Sequence, residues 1–181
     1  MTIVGIVLLI GIDQITKFFA TEFLKSSNGF NIIPNVLKLF YLENFGAAFG
    51  ILQNAKIFFV IITVLLLGFF VFLFIKLPDD KKYNHLRVVL TFFISGAIGN
   101  LIDRLVHTYV TDFIYLELIN FPVFNVADIY VTCSAFALFI TMFTYYKDED
   151  FAFLKLRPKQ TGSGTDHADE ASGHRAEDET N

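Results

Sequence analysis

The sequence predicts an all-α polytopic membrane protein with four transmembrane helices, a small extracytoplasmic β-like hairpin or cradle, and a disordered acidic C-terminal tail. Of its 181 residues, 54% are hydrophobic, and its mean hydropathy of +0.55 is high for a soluble domain. The apolar residues gather into four blocks, each close to the roughly 20 residues that cross about 30 Å of hydrocarbon. The basic residues are distributed unevenly among the connections between these blocks.

The four blocks are interpreted as membrane-spanning helices. They run approximately over Met1–Ala20, Ile57–Ile75, Leu86–Val106 and Asn125–Tyr146. The second block has no charge and no polar face, which argues against the alternative of a soluble helical bundle. The first block lacks the basic n-region and small-residue cleavage site of a secretory signal, and it contains Asp13 and Lys17. We therefore expect it to be a retained span.

The orientation follows from the basic residues. Lys and Arg are concentrated between the second and third blocks and after the fourth block, whereas the connection His107–Phe124 has neither. The positive-inside rule places both chain ends and Leu77–His85 in the cytoplasm. The segments Thr21–Ala55 and His107–Phe124 are expected to face outward.

Two of the outward segments have an extended character. Phe30–Leu42 is rich in β-branched and aromatic residues around the turn signal Pro34-Asn35, which predicts a short hairpin. Val110–Leu118 has a similar composition. Apolar strands of this kind can rest on the bilayer and receive an extended peptide along an edge.

The C-terminal segment differs in composition from the rest of the chain. Residues 148–181 include nine acidic and four basic residues, and beyond Pro158 they contain almost no apolar side chains. Such a composition is typical of disorder. We therefore expect a four-helix transmembrane domain over residues 1–147 and a cytoplasmic, largely disordered tail over residues 148–181.

Polar residues within three of the spans fall at one depth, in the outer third of the bilayer. Their helical spacing places each set on one face; the sets are Asp13 and Lys17, then Asn100, Asp103 and Arg104, then Asn125 and Asp128. The second span contributes none and is most simply a lipid-facing anchor. For the pairs Asp13–Lys17 and Asp103–Arg104, salt bridges that only fix helix packing are the alternative.

Asp112 and Asp128 are the strongest candidates for chemistry. A carboxylate at a membrane boundary is costly, and two of them close together point to a shared proton and an activated water, as in an aspartic protease. The alternatives are a proton-coupled transporter or channel subunit, and a scaffold without chemistry. A serine-type peptidase is disfavoured, because Ser95 and Ser134 are more simply helix-packing residues.

Five short strings occur in order along the chain. They are Asp13-Gln14-Ile15-Thr16-Lys17, Glu43-Asn44-Phe45-Gly46-Ala47-Ala48-Phe49, Gly96-Ala97-Ile98-Gly99-Asn100-Leu101-Ile102-Asp103-Arg104, Val110-Thr111-Asp112-Phe113 and Phe124-Asn125-Val126-Ala127-Asp128. Together they resemble bacterial lipoprotein signal peptidase, or signal peptidase II. The resemblance runs from about Ile10 to Tyr146 and leaves the acidic tail outside.

The resemblance implies an enzyme that removes signal peptides from prolipoproteins, cleaving just before a diacylglyceryl-modified cysteine. It implies that Asp112 and Asp128 are the catalytic dyad. It also implies a set of residues that support the site or contact substrate, namely Asp13, Lys17, Asn44, Gly46, Asn100, Asp103, Arg104 and Asn125.

The same resemblance sets expectations for cofactors, partners and location. We expect no metal and no organic cofactor. We expect prolipoproteins and membrane lipids as partners, no nucleic acid, and a monomer. The location expected is the bacterial cytoplasmic (inner) membrane, with the active site near the outer face.

Overall fold

The computed structural model describes residues 2–46 and 56–154. Four long helices span α1 Thr2–Leu24, α2 Lys56–Lys76, α3 Asn84–Val106 and α4 Val126–Thr144. Three strands span β1 Phe30–Ile33, β2 Leu37–Asn44 and β3 Val110–Leu116. The predicted disordered tail falls largely on residues 155–181, which lie outside the described residues.

The four predicted apolar blocks are confirmed as helices, and each is long and apolar enough to cross a membrane. The first helix continues beyond the expected end at Ala20 and ends at Leu24. The chain leaves the helix in a turn in which Ser27 N donates to Leu24 O at 3.0 Å.

Helix α3 is the centre of the bundle and packs against the other three helices. Gly96 allows α4 to approach closely, because a Cβ at this position would lie 2.5 Å from the backbone oxygen of Ala127 and 2.9 Å from a methyl of Val131. Small residues at such crossings let helix backbones meet. The close approach places the first turn of α4 beside the polar face of α3.

The extended segments form one antiparallel sheet in the order β1-β2-β3. The predicted hairpin is present, with Asn35 in the left-handed region at φ 60° and Val36 N donating to Ile33 O at 3.0 Å. The segment Val110–Leu118, predicted to be extended, contains β3, which joins β2 as a third strand and makes the predicted hairpin part of a small sheet. Leu42 lies opposite Asp112 in this pairing.

Strand β3 is tied directly to the start of α4. Ile114 N donates to Phe124 O at 2.8 Å, and Phe124 N donates back to Ile114 O at 3.0 Å. This bridge returns the chain to the strand just before the helix begins. It brings Asn125 and Asp128 to the same end of the bundle as Asp112, called the sheet end below.

The opposite end of the bundle is closed by aromatic packing. Tyr83 and Tyr146 stack with ring centroids 5.9 Å apart, within a cluster that includes Leu86 and Leu90. A short 3-10 helix over Asp148–Leu154 lies against this cluster, where the hydroxyl of Tyr83 donates to the backbone oxygen of Asp150 at 2.8 Å. The division into residues 1–147 and 148–181 stays a prediction.

Candidate active site

Asp112 and Asp128 line the same cleft at the sheet end. Asp112 lies on β3 and is 1% exposed, and Asp128 lies in the first turn of α4. The cleft has a volume of about 500 Å³. Its walls are mainly apolar, from residues that include Phe59, Leu116, Phe121, Phe124, Ile129 and Cys133.

Asn125 connects the two aspartates. Its side-chain Nδ2 donates to Asp112 Oδ1 at 2.7 Å, and its backbone N donates to Asp128 Oδ2 at 3.1 Å. Its Oδ1 accepts a hydrogen bond from the backbone N of Asp128 at 3.0 Å, which completes a capping box at the start of α4. An asparagine fits this position because an amide both accepts and donates.

The remaining oxygen of each aspartate also has an amide donor. Asn44 Nδ2 donates to Asp112 Oδ2 at 2.7 Å, and Asn100 Nδ2 donates to Asp128 Oδ1 at 2.7 Å. Asn44 is oriented by Gly46, whose backbone N donates to Asn44 Oδ1 at 3.0 Å. The donors therefore hold both carboxyl groups in fixed positions.

The strand pleat explains how Asn44 reaches Asp112. Leu42 lies opposite Asp112, and Asn44 follows Leu42 by two residues. Side chains two residues apart on a strand share a face, so Asn44 and Asp112 emerge on the same side of the sheet. Pairing of β2 with β3 thus builds this part of the site.

The surroundings favour a proton on the pair at neutral pH. Burial, followed by the nearby charge of Asp128, raises the pKa of Asp112 to about 7, against the opposing effects of Asn44, Asn125 and Lys17. Two neighbouring carboxylates resist ionising together. The site can therefore present one carboxylate and one carboxylic acid at the same time.

Arg104 and Phe59 form another part of the cleft wall. The guanidinium of Arg104 lies 5.3 Å from the centroid of the Phe59 ring, within the range of a cation–π contact. Phe59 belongs to α2, so the prediction that this helix is only a lipid-facing anchor was wrong. A phenylalanine in a continuous apolar run carries no sequence signal that distinguishes a cleft residue from a lipid-facing one.

Asp13, Lys17 and Asp103 form a buried charge cluster next to the cleft. Lys17 Nζ lies 2.9 Å from Asp13 Oδ2 and 3.0 Å from Asp103 Oδ2, so the predicted pair on α1 is confirmed. Asp103 is bound to α1 through this ammonium, whereas Arg104 borders the cleft. The prediction that Asn100, Asp103 and Arg104 share one face was therefore wrong for Asp103 and Arg104, because successive residues on a helix do not face each other.

Gln14 was missed as a site residue. Its Nε2 lies 3.1 Å from Asp13 Oδ2 and 3.1 Å from Asp103 Oδ1, and it also approaches the backbone oxygen of Gly99 at 3.3 Å. It stands within the first of the five strings. In the sequence, a neutral amide beside charged residues does not by itself indicate a functional residue. The contact of Gln14 with α3 forms only in the folded protein.

The buried polar groups of the site are hydrogen-bonded to one another. In the part of the chain that the structure describes, no buried side-chain nitrogen or oxygen lacks a hydrogen-bond partner. Within residues 2–46 and 56–154, no three His, Cys, Asp or Glu side chains form a group that could hold a metal ion. The arrangement is suited to proton transfer between two carboxyl groups and a bound water.

Comparisons with known proteins identify the family of this chain. The sequence model of the family described as signal peptidase (SPase) II matches residues 5–144. The chain is 39% identical to the lipoprotein signal peptidase of Streptococcus pyogenes serotype M1 over 149 residues, which cover 82% of this chain and 95% of that protein. The protein of the same name from serotype M5 (strain Manfredo) gives the same identity and coverage.

Two solved structures of bacterial membrane enzymes, determined by the in meso method, have the same fold. The one at 2.3 Å resolution superposes with a TM-score of 0.70 at 33% identity, covering 86% of this chain and 92% of that chain. The one at 1.9 Å resolution gives a TM-score of 0.69 at 34% identity, covering 80% and 94%. The chain therefore belongs to the signal peptidase II family.

Proposed function

We propose that the protein is an aspartic endopeptidase that removes signal peptides from diacylglyceryl-modified prolipoproteins, cleaving just before the lipidated cysteine. Family membership and the names of the relatives support the peptidase activity. The observation that carries the catalytic assignment is the pair Asp112 and Asp128 at one apolar cleft. Every oxygen of the pair accepts a hydrogen bond from an asparagine, Asn44, Asn100 or Asn125.

The chemistry requires the two carboxyl groups in opposite protonation states. The ionised member takes a proton from a bound water, and the water oxygen attacks the scissile carbonyl carbon. The protonated member donates to the developing oxyanion and then to the leaving amine. Because the protons belong to the coupled pair, the starting base is a property of Asp112 and Asp128 together.

The supporting residues act on this pair. Asn44, Asn100 and Asn125 orient the carboxyl groups, and Gly46 orients Asn44 through its backbone. Donors that are already in place when the water attacks need no reorganisation during the reaction. Arg104 adds a positive charge at the cleft wall, close to where the negative charge of an attacked carbonyl develops.

The cleft also suits a lipid-anchored peptide. Its apolar lining lies beside helices that are apolar enough to cross a membrane, so acyl chains on a substrate cysteine can remain in hydrocarbon while the peptide bond reaches the dyad. Substrate and surrounding lipids are then the partners of a monomeric enzyme. No nucleic acid takes part in this chemistry.

The distribution of Lys and Arg supports an orientation. Both chain ends are proposed to face the cytoplasm, because the connection between α2 and α3 and the segment after α4 carry more basic residues than the outward segments, in which only Lys25 and Lys38 occur. The sheet end then lies near the outer face of the bacterial cytoplasmic membrane. A substrate anchored in the outer leaflet would present its scissile bond at this level.

Cleavage of a defined substrate tests the proposal. Purified protein in lipid is mixed with a diacylglyceryl-modified prolipoprotein and with the same polypeptide without lipid, and the new N-terminus is identified. We expect cleavage only of the lipidated substrate, just before its modified cysteine. Failure of the folded wild-type protein to cleave would overturn the proposal and return the transporter and scaffold alternatives.

Two matched variants test the catalytic assignment in the same assay. Asp112→Asn and Asp128→Asn keep the shape of each side chain but remove its acid–base function, so each is expected to lower turnover by at least about 10³-fold. Membrane insertion and thermal stability should persist in both. Substantial turnover by either variant would contradict the dyad.

A further inference from the structure

Lys17 occupies the centre of a buried network that links three helices. Its side chain is on α1, and the residue is 4% exposed. The ammonium contacts Asp13 Oδ2 at 2.9 Å, Asp103 Oδ2 at 3.0 Å and Asn100 Oδ1 at 2.9 Å. An ammonium has three hydrogen-bond donors, and these three acceptors use all of them.

The two carboxylates bound by Lys17 each reach the backbone next to one aspartate of the dyad. Asp13 Oδ1 accepts a hydrogen bond from Ala127 N at 2.9 Å, one residue before Asp128. Asp103 Oδ2 accepts from Thr111 N at 3.0 Å, one residue before Asp112. The same ammonium thus connects two equivalent backbone clamps.

The third contact of Lys17 controls the donor on Asp128. Asn100 Oδ1 faces the ammonium, and Asn125 Nδ2 also approaches this oxygen at 3.2 Å. With its oxygen engaged on that side, Asn100 presents Nδ2 to Asp128 Oδ1 at 2.7 Å. The orientation of this amide is therefore set from within the protein and does not depend on substrate.

The close packing of α3 on α1 leaves little freedom in this network. A Cβ at Gly99 would occupy the space of the Asp13 carboxylate. Without the ammonium, Asp13 and Asp103 would face each other as buried like charges, and Gln14 would be the neutral group that bridges them. Repulsion between the two carboxylates would separate them and would shift the backbone at Ala127 and Thr111, to which they are hydrogen-bonded.

We propose that Lys17 is a positioning residue, which fixes the separation of Asp112 and Asp128 by bridging the two carboxylates that hold their backbones. The inference rests on the proposed function, because it assigns Lys17 a role in the same reaction. Lys17 itself remains behind the dyad and does not touch substrate. Its effect is on the geometry of the two carboxyl groups.

The test compares Lys17→Met, Lys17→Arg and the control Lys82→Met in the prolipoprotein assay, with kcat and KM measured across pH. Lys82 also pairs with a carboxylate, that of Asp150 at 2.5 Å, but at the opposite end of the bundle. We expect Lys17→Met to lower kcat by about 10²-fold with little change in KM, because small displacements of reacting groups have effects of this size. Lys82→Met should resemble the wild-type protein.

The pH profile separates positioning from a purely structural role. The charge of Lys17 opposes the rise in the pKa of Asp112, so its removal should move the acid limb of the rate profile to higher pH. Lys17→Arg keeps the charge but replaces a three-donor ammonium with a planar fork. We expect Lys17→Arg to fold as the wild type does and still to have a lower kcat. If Lys17→Met does not fold, Lys17→Arg alone tests the positioning role.

The outcomes distinguish this inference from the proposed function. If the wild-type protein does not cleave the substrate, the proposed function fails. If the wild type cleaves and the aspartate variants do not, but folded Lys17→Arg matches Lys82→Met in kcat and in its acid limb, the positioning role is overturned.

Discussion

The two ends of the helical bundle both carry lysine–carboxylate pairs. These pairs differ more in burial than in the distance between nitrogen and oxygen. At the sheet end, Lys17 lies 2.9 and 3.0 Å from carboxylates, and all three side chains are at most 5% exposed. At the opposite end, Lys82 lies 2.5 Å from Asp150, with side chains 41% and 15% exposed. The distance between nitrogen and oxygen alone therefore does not indicate how much a pair contributes to stability.

Burial changes the consequence of losing one partner. An exposed pair contributes roughly 0–1 kcal/mol because water replaces it easily. A buried charge that loses its partner is left uncompensated, and the loss is several times larger. The sheet end thus depends on a complete set of partners, whereas the opposite end depends mainly on aromatic and aliphatic packing around Tyr83 and Tyr146.

The largest effect outside the dyad and Lys17 is expected at Asn125. Asn125→Ala removes a donor to Asp112 and the cap of α4 together. A hydrogen bond to a charged group contributes about 1.5–3 kcal/mol, so turnover of the prolipoprotein should fall by roughly 10–100-fold. The melting temperature should fall as well, because loss of a helix cap destabilises by about 1 kcal/mol.

Asn125→Ser is the matched control for this prediction. Serine retains a good cap for α4, but its side chain is too short to cap the helix and also reach Asp112. Turnover should therefore fall while the melting temperature stays near that of the wild type. Equal turnover in Asn125→Ser and wild type would show that only the cap matters.

A smaller effect is expected on stability as a function of pH. Burial raises the pKa of Asp112 from its ordinary value of 3.8 to about 7. The folded protein therefore holds this proton more tightly than the unfolded chain. The stabilisation from protonated Asp112 is complete below about pH 4 and is lost as pH rises through about 7.

Asp112→Asn removes this dependence because an amide does not ionise. The difference in melting temperature between Asp112→Asn and the wild type should change in favour of the variant by about 5 °C between about pH 5 and about pH 8. The variant is expected to be inactive, so the measurement is thermal unfolding in one detergent. A difference that is independent of pH would contradict a raised pKa at Asp112.

The smallest effect is expected at the opposite end of the bundle. Lys82→Met removes the more exposed pair with Asp150, so the melting temperature should change little and turnover should be unchanged. Thermal unfolding and the prolipoprotein assay measure the two quantities. A fall in turnover comparable to that of Lys17→Met would erase the contrast between the two ends.

The sequence predicts the parts of this protein that depend on periodicity and hydropathy. The four spans follow from apolar length, and the pairing of Asp13 with Lys17 follows from a spacing of one helical turn. The hairpin follows from the Pro34-Asn35 turn. These features are local, so neighbouring residues are sufficient to specify them.

The remaining features depend on contacts between distant segments. Pairing of β3 with β2 brings Asp112 to Asn44, and nothing in either strand alone specifies that partner. The contribution of Phe59 to the cleft is hidden in a uniformly apolar helix. The contacts of Gln14 with Gly99 and Asp103 form only when α1 packs on α3. The roles of Asp112 and Asp128 were predicted from the resemblance to a family more than from their spacing.

We propose that Asp112 and Asp128 work as one acid–base pair in opposite protonation states. The most direct test is the rate of prolipoprotein cleavage by the wild-type protein, measured as kcat/KM from about pH 4 to about pH 10 in one lipid mixture. We expect a bell-shaped profile, whose two limbs report loss of the ionised member and loss of the protonated member. A profile with a single limb, or with none, would contradict a shared proton.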